Sequence, residues 1–201
     1  MSSPIPRRSP LGAIHSAETS PPAGRLIERP FLTHLNLRLD PHDAEALTAV
    51  RQIVGVQLPR TPNTTTVTDD LTVAWLGPDE WLLLDESHQS DALLVDLQAA
   101  LTGHFASVVD TSAGQTVIRL SGPSTLDVLA RGCALDLHPS VFPPGACAQT
   151  LLARAQALLI AVDDAPTIDI TVRRSFAPYV AAWLEDSGRD FGFRFPTSDT
   201  A

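Results

Sequence analysis

The 201 residues carry fourteen cationic side chains, all arginine, against twenty-three Asp and Glu, giving a formal charge of −9. Phosphate binding needs clustered cations and the sequence has no dense basic stripe, which argues against a nucleic-acid partner. A chain this long buries roughly 70% of the surface its unfolded form exposes, so neither disulfide nor metal is needed to hold a core.

Charged residues make up 18% of the chain, below the roughly 25% of an average soluble domain. That deficit fits a surface set aside for a partner, and it equally fits the codon bias of a GC-rich genome. In chain order, residues 1–24 come first, a distinct arm with Pro4, Pro6, Pro10, Pro21 and Pro22. Proline at this density removes donors and blocks helix, so by itself the arm should be extended or disordered. Arg7-Arg8 are not followed by the continuous apolar stretch of a twin-arginine export signal. The longest nearly apolar run, 155–162, is too short to span a bilayer. A cytoplasmic chain with no membrane segment is the expectation.

Leu35, Leu37 and Leu39 alternate with polar residues, the period of a half-buried strand. Asp40 is the expected cap of a following helix, with Pro41 at its first position, Leu47, Val50 and Val54 on its buried stripe and Gly55 ending it. Strands over 71–76 and 81–84 flank the turn Gly77-Pro78-Asp79-Glu80 and predict a hairpin. A helix from about Ser90 follows, with Leu93, Leu94, Leu97 and Leu101 on one face. Strands are expected at 107–110 and 116–120, a helix over 123–131, and a Pro-rich loop over 138–145. Three more strands follow, around 148–153, 157–162 and 168–173, before a last amphipathic helix starting near Pro178 and ending before Gly188. Helices and strands alternate, but tight hairpins are interspersed. This predicts an α+β fold with mixed, largely antiparallel sheets and packed helices rather than a doubly wound parallel sheet. One domain over 25–195 is expected, divisible into subdomains over about 25–110 and 111–195, with a flexible tail over 196–201. The order strand–helix–hairpin, then helix–hairpin, is compatible with two degenerate halves.

The absences bear on chemistry. No two of the eleven glycines are two residues apart, so there is no G-x-G-x-x-G, and without lysine there is no phosphate-binding G-x-x-x-x-G-K-[ST] loop. Ser112, in Asp110-Thr111-Ser112-Ala113-Gly114, lacks the first glycine of a nucleophile elbow and reads as a turn residue. Cys133, Asp136, His138 and Cys147 could surround a metal, but the two thiols are fourteen residues apart with a Pro-rich loop between, unlike the closely spaced ligand pairs of zinc sites, and Cys133 falls on an apolar helix stripe with Leu126 and Leu129. Asp69-Asp70 and Asp163-Asp164 border strands and read as solvated turns, although paired carboxylates can move protons. Arg173-Arg174 read as a surface or salt-bridged pair. No catalytic, cofactor or metal residue is assigned on this chain.

One set of motifs is more specific. Arg119-Leu120-Ser121-Gly122-Pro123, Val128-Leu129-Ala130-Arg131-Gly132-Cys133, Leu135-Asp136-Leu137-His138-Pro139, Phe142-Pro143-Pro144-Gly145 and Cys147-Ala148-Gln149-Thr150 occur in that order. With Trp75-Leu76-Gly77-Pro78-Asp79-Glu80-Trp81-Leu82 and Arg174-Ser175-Phe176-Ala177, they resemble the gamma subunit family of heterotetrameric sarcosine oxidase. The resemblance covers roughly residues 7–192. More distantly, the chain is similar to the folate-binding fold of the glycine-cleavage T-protein, an aminomethyltransferase.

The resemblance implies a complex of alpha, beta, gamma and delta chains that oxidises sarcosine to glycine. Such a complex yields hydrogen peroxide and, with tetrahydrofolate, 5,10-methylenetetrahydrofolate. It implies that NAD, FAD, covalent FMN and tetrahydrofolate sit on the alpha and beta chains and zinc on delta, leaving gamma without a known catalytic residue and with alpha as its main contact. Asp69-Asp70-Leu71-Thr72-Val73 also resembles a T-protein stretch in which an aspartate serves folate chemistry, but Thr64, Thr65 and Thr66 stand where glycines usually precede it. Two alternatives therefore stay open: a free-standing tetrahydrofolate-binding aminomethyltransferase acting through Asp69 or Asp70, and the matching subunit of a related N-methylamino-acid dehydrogenase. In the gamma-subunit reading the arm is the expected fastener to the large alpha chain. Arg7 and Arg8 would fork onto carboxylates of a partner groove while Leu11 and Ile14 fill apolar pockets.

Overall fold

The computed structural model describes residues 8–12, 24–87 and 90–194. Its strands are β1 (Arg25–Arg29), β2 (Thr33–Leu39), β3 (Thr65–Val67), β4 (Leu71–Gly77), β5 (Glu80–Asp85), β6 (Ala106–Asp110), β7 (Gln115–Ser121), β8 (Cys147–Leu152), β9 (Ala155–Asp163) and β10 (Thr167–Arg173). The helices are α1 (Ala44–Val54), α2 (Ser90–Ala100), α3 (Thr125–Ala130) and α4 (Ala177–Gly188), with single 3₁₀ turns at Ser112–Gly114, Arg174–Phe176 and Arg189–Phe191. The expected α+β class holds. The strands form two five-stranded sheets, ordered β3-β4-β5-β2-β6 and β1-β7-β10-β9-β8, and every pairing is antiparallel.

The two sheets repeat one plan. The run β2-α1-β3-β4-β5-α2-β6 folds into the first, and β7-α3-β8-β9-β10-α4 folds into the second in the same spatial order. The place that β6 takes beside β2 is taken beside β7 by β1, a strand borrowed from the start of the chain. β1 thus falls in the first expected subdomain by sequence but pairs with β7 of the other sheet.

Period-two burial separates the layers. On β5, Trp81 and Leu83 join Leu35, Leu37, Val50 and Leu97 in a core under α1 and α2, while Leu82 and Leu84 face the other way. On β9, Leu159 and Ala161 pack with Ile118, Ile170, Val180 and Leu184 under α3 and α4, while Leu158 and Ile160 face the first sheet. Leu82, Leu84, Leu158, Ile160, Ala74 and Cys147 close a third cluster between the sheets. The molecule is therefore four layers, helix–sheet–sheet–helix. Trp81 is fully buried, and its indole N–H donates to the Pro59 carbonyl at 2.8 Å.

Local signals differ from expectation at a few points. α1 is capped by Asp43, whose carboxylate accepts the Ala46 N–H at 2.9 Å. Asp40, the expected cap, instead accepts the His42 N–H at 2.8 Å, and Pro41 sits in the turn this closes. A second Asp three residues on out-competes the first because the helix starts after the turn. α3 is shorter than 123–131 because a turn with Thr125 N–H bonded to the Gly122 carbonyl at 3.0 Å occupies its start. After it, Gly132 lets α4 come close: a Cβ there would lie 2.4 Å from the Trp183 ring.

Candidate functional site

Polar side chains that the two sheets turn inward line two separate clefts of the interlayer. In one, Asp169 on β10 stands opposite Arg119 on β7. The pair is bidentate, Nε to Oδ1 at 2.6 Å and Nη2 to Oδ2 at 2.7 Å, and Arg29 from β1 adds Nη1 to Oδ2 at 2.8 Å. Arg29 also pairs with Glu86 just beyond β5. The Asp169 side chain is 8% exposed, and its carboxylate holds the Arg119 guanidinium above its usual range. The adjoining cleft, about 160 Å³, is lined by these four side chains with Thr65, Thr72 and Val117 among others. Both guanidiniums are committed to carboxylates, so the cleft offers a ligand anion no spare charge.

The other cleft is a groove of about 720 Å³. Asn36 on its wall donates to Glu80 at 2.8 Å, and the Gln149 amide donates to the Leu76 carbonyl at 2.9 Å. His34 is 1% exposed, its Nδ1 3.0 Å from the Leu32 carbonyl and its Nε2 without a partner. Burial pushes its pKa down to about 4, against the backbone bond and the nearby Asp110 charge. His34 is thus neutral at physiological pH.

His34, Asp110 and Ser112 lie together without forming a triad. Ser112 Oγ donates to Asp110 at 2.5 Å and accepts the main-chain N–H of His34 at 2.9 Å, so the hydroxyl fastens the turn and meets no imidazole nitrogen. Asp136, His138 and Ser140 make a similar local chain on an exposed loop, in which Asp136 reaches the His138 main chain, not its ring. Among the described residues, no three His, Cys, Asp or Glu gather where they could hold a metal ion. Cys133 is 8% exposed in the core under α3 and α4. Cys147 is fully buried between the sheets, where desolvation pushes its thiol up to about 11. Asp69 and Asp70 lie in an exposed turn and line neither cleft.

Of the four arm residues singled out from sequence, Arg7 and Ile14 lie outside the described residues. The Arg8 carbonyl accepts from the Arg174 guanidinium, and Arg8 itself is exposed. Leu11 is 1% exposed, packed into the core beneath α3 and α4 with Leu26. As placed, it fills this chain's own core and not a partner's pocket. The Ser9 hydroxyl donates to Glu28, which is 7% exposed and also accepts from Thr116 at 2.8 Å. Among the described residues, no helix is long and apolar enough to cross a membrane.

Three comparisons place this architecture. Residues 38–190 match the model of the sarcosine oxidase, gamma subunit family. The sarcosine oxidase subunit gamma of Corynebacterium sp. strain U-96 is 36% identical over 193 residues, covering 92% of this chain and 91% of that one. Among solved structures, a chain of the heterotetrameric sarcosine oxidase from Corynebacterium sp. U-96, in complex with pyrrole 2-carboxylate, superposes with a TM-score of 0.83 at 34% identity, covering 92% of this chain and 96% of that one. The glycine cleavage system aminomethyltransferase T of Bartonella henselae shares the fold, with a TM-score of 0.63 at 15% identity over 83% of this chain and 46% of that one.

Proposed function

The chain belongs to the sarcosine oxidase gamma subunit family, and from that membership we propose that it is the non-catalytic gamma subunit of a heterotetrameric sarcosine oxidase. Its work is assembly, with the alpha chain as main contact and the beta and delta chains in the same particle. The complex would demethylate sarcosine oxidatively to glycine, releasing hydrogen peroxide and, with tetrahydrofolate, forming 5,10-methylenetetrahydrofolate. FAD, FMN, NAD, zinc and tetrahydrofolate would sit on the other chains.

The observation that carries this reading is the near end-to-end superposition on a chain of a solved heterotetrameric sarcosine oxidase, 92% of one and 96% of the other. The side chains support it. Asp169 is paired with Arg119 and Arg29, the Ser112 hydroxyl fastens a turn, the Cys133 thiol lies in a core, and Asp69 and Asp70 line neither cleft. Calorimetric titration of tetrahydrofolate into the purified chain separates this function from a free-standing aminomethyltransferase. No saturable binding is expected; saturable binding abolished by Asp69→Asn or Asp70→Asn would contradict it.

A further inference from the structure

A hollow of about 610 Å³ on the first sheet holds groups that the chain's own packing leaves unused. It is lined by Arg38, Leu39, Asp40 and Pro41 at the end of β2, Asp79 in the β4–β5 turn and Phe105 just before β6. Phe105 is 94% exposed, more than any other large hydrophobic residue described. The backbone that presents it is fastened. Gly103 takes φ +90°, the His104 N–H donates to the Leu101 carbonyl at 3.1 Å, and the Ala106 N–H donates to the His104 carbonyl at 2.9 Å. The His104 ring nitrogen Nδ1 donates to Asp43, the cap of α1, at 2.7 Å. An aromatic ring carried on a fixed turn has already met part of the ordering cost of binding.

The charges on the lining say what fits beside that ring. Arg38 is spent: its Nη2 donates to both oxygens of Asp79 at 3.1 Å and lies 4.0 Å from Glu80. Arg60 reaches the Pro41 carbonyl at 3.0 Å but does not line the hollow. Asp40 is exposed, and only its Oδ1 is used, accepting the His42 N–H at 2.8 Å. The lining therefore carries a net negative charge, and the carboxylate left over shares the hollow with a bare aromatic ring. A guanidinium satisfies both, stacking on the ring while it forks to the carboxylate. The chain already holds that combination once: Arg131 lies 5.1 Å from the centroid of the Phe191 ring and donates to Asp190 at 3.2 Å. At Phe105 and Asp40 the same two partners stand without an arginine. A purely apolar segment would desolvate Asp40 without pairing it, and a small cation held by Asp40 alone would leave the ring wet.

We infer that this hollow receives an arginine side chain from another subunit of the oxidase complex, its guanidinium seated on Phe105 and Asp40. The inference rests on the gamma-subunit reading, which supplies the partner chains.

The test uses the chain co-expressed with the alpha, beta and delta subunits of its host. Asp40→Asn removes the charge but keeps the acceptor for the His42 N–H, and Phe105→Ala removes a ring that packs on nothing, so the isolated variants should keep the wild-type urea midpoint. Each should weaken affinity for the rest of the complex about tenfold, the weight of one desolvated cation contact. The double variant should lose much less than the product of the two, because both groups hold one guanidinium. Phe105→Tyr, which keeps a ring, and Val95→Ala, on an exposed site of α2, should bind as the wild type does. A photocrosslinking p-benzoylphenylalanine in place of Phe105 identifies the occupant directly, and its adduct should fall beside an arginine of alpha, beta or delta. Wild-type affinity for both single variants, or an assembled complex whose adduct is missing or lies on a segment without arginine, overturns the hollow's assignment and leaves the subunit reading intact. An adduct between two copies of this chain also overturns it. Failure of the wild-type chain to join the complex at all defeats both.

Discussion

His34 enters the interlayer from β2 as a neutral imidazole, its pKa lowered by burial from 6.5 to about 4. In the unfolded chain it takes up a proton below pH 6.5, while in the folded chain it refuses one until about pH 4, so stability falls as pH drops through that window. The loss is about 3 kcal/mol at 1.36 kcal/mol per pH unit. His34→Gln removes this titration. In urea unfolding, the stability of the wild type relative to the variant should decline by about 3 kcal/mol between pH 7 and pH 4. A difference that stays constant with pH would mean the ring is solvated. Asp169 makes the opposite kind of claim. Its carboxylate, 8% exposed, is shared by Arg119 and Arg29, and Asp169→Asn leaves the partly buried Arg119 guanidinium without its anion while Arg29 keeps Glu86. Breaking such a buried pair costs about 3–5 kcal/mol, against less than about 1 kcal/mol for a surface pair. The lower end is expected here, since Arg119 keeps 28% exposure. An unfolding cost below about 1 kcal/mol would reduce the network to a surface feature.

The elements with strong periodicity were legible beforehand. The alternation of Leu35, Leu37 and Leu39, the Gly77–Glu80 turn between two apolar runs and the stripe through Leu93, Leu94 and Leu97 lie on β2, the β4–β5 hairpin and α2, with Leu101 one residue past the helix end. β1 and β3 were not legible: Arg-Leu-Ile-Glu-Arg offers two apolar residues and Thr-Thr-Val is three residues long, so neither stands out until pairing with β7 or β4 makes it a strand. The arm taught the same lesson at finer scale. Its composition reads as an unfolded leader, yet Ser9 hooks Glu28 and Leu11 drops into the core beside Leu26. Leu11→Ala should therefore lower the stability of the isolated chain by about 2–5 kcal/mol, the usual cost of truncating a buried leucine. An unchanged urea midpoint would show the hook undocked. A chain starting at Arg25 loses this plug, so such a truncation reports on the core before it reports on any partner. Substituting Arg7, Arg8 or Ile14 in the full-length chain is the cleaner probe of a docking arm.

Across the whole molecule, the repeated plan explains why the candidate site was hidden in the sequence. The interlayer exists only where one half faces the other, and its members come from far apart in the chain, as Arg29 and Asp169 do across 140 positions. Two-residue periodicity marks which side chains leave the helix-covered faces, but it does not say that those faces will meet. The family motifs cluster around β7, α3 and the loop into β8, the joint of the second half. With the motif on the β4–β5 hairpin they supply Leu76, Glu80, Leu82, Gln149 and Thr150 to the groove, but their order does not say that strands of both sheets will line it together. Under the proposed function this chain works by assembling and not by catalysis. Native mass spectrometry of the four co-expressed chains should then show one copy of this chain in a particle with alpha, beta and delta. A stable alpha–beta–delta particle with this chain left free would contradict it.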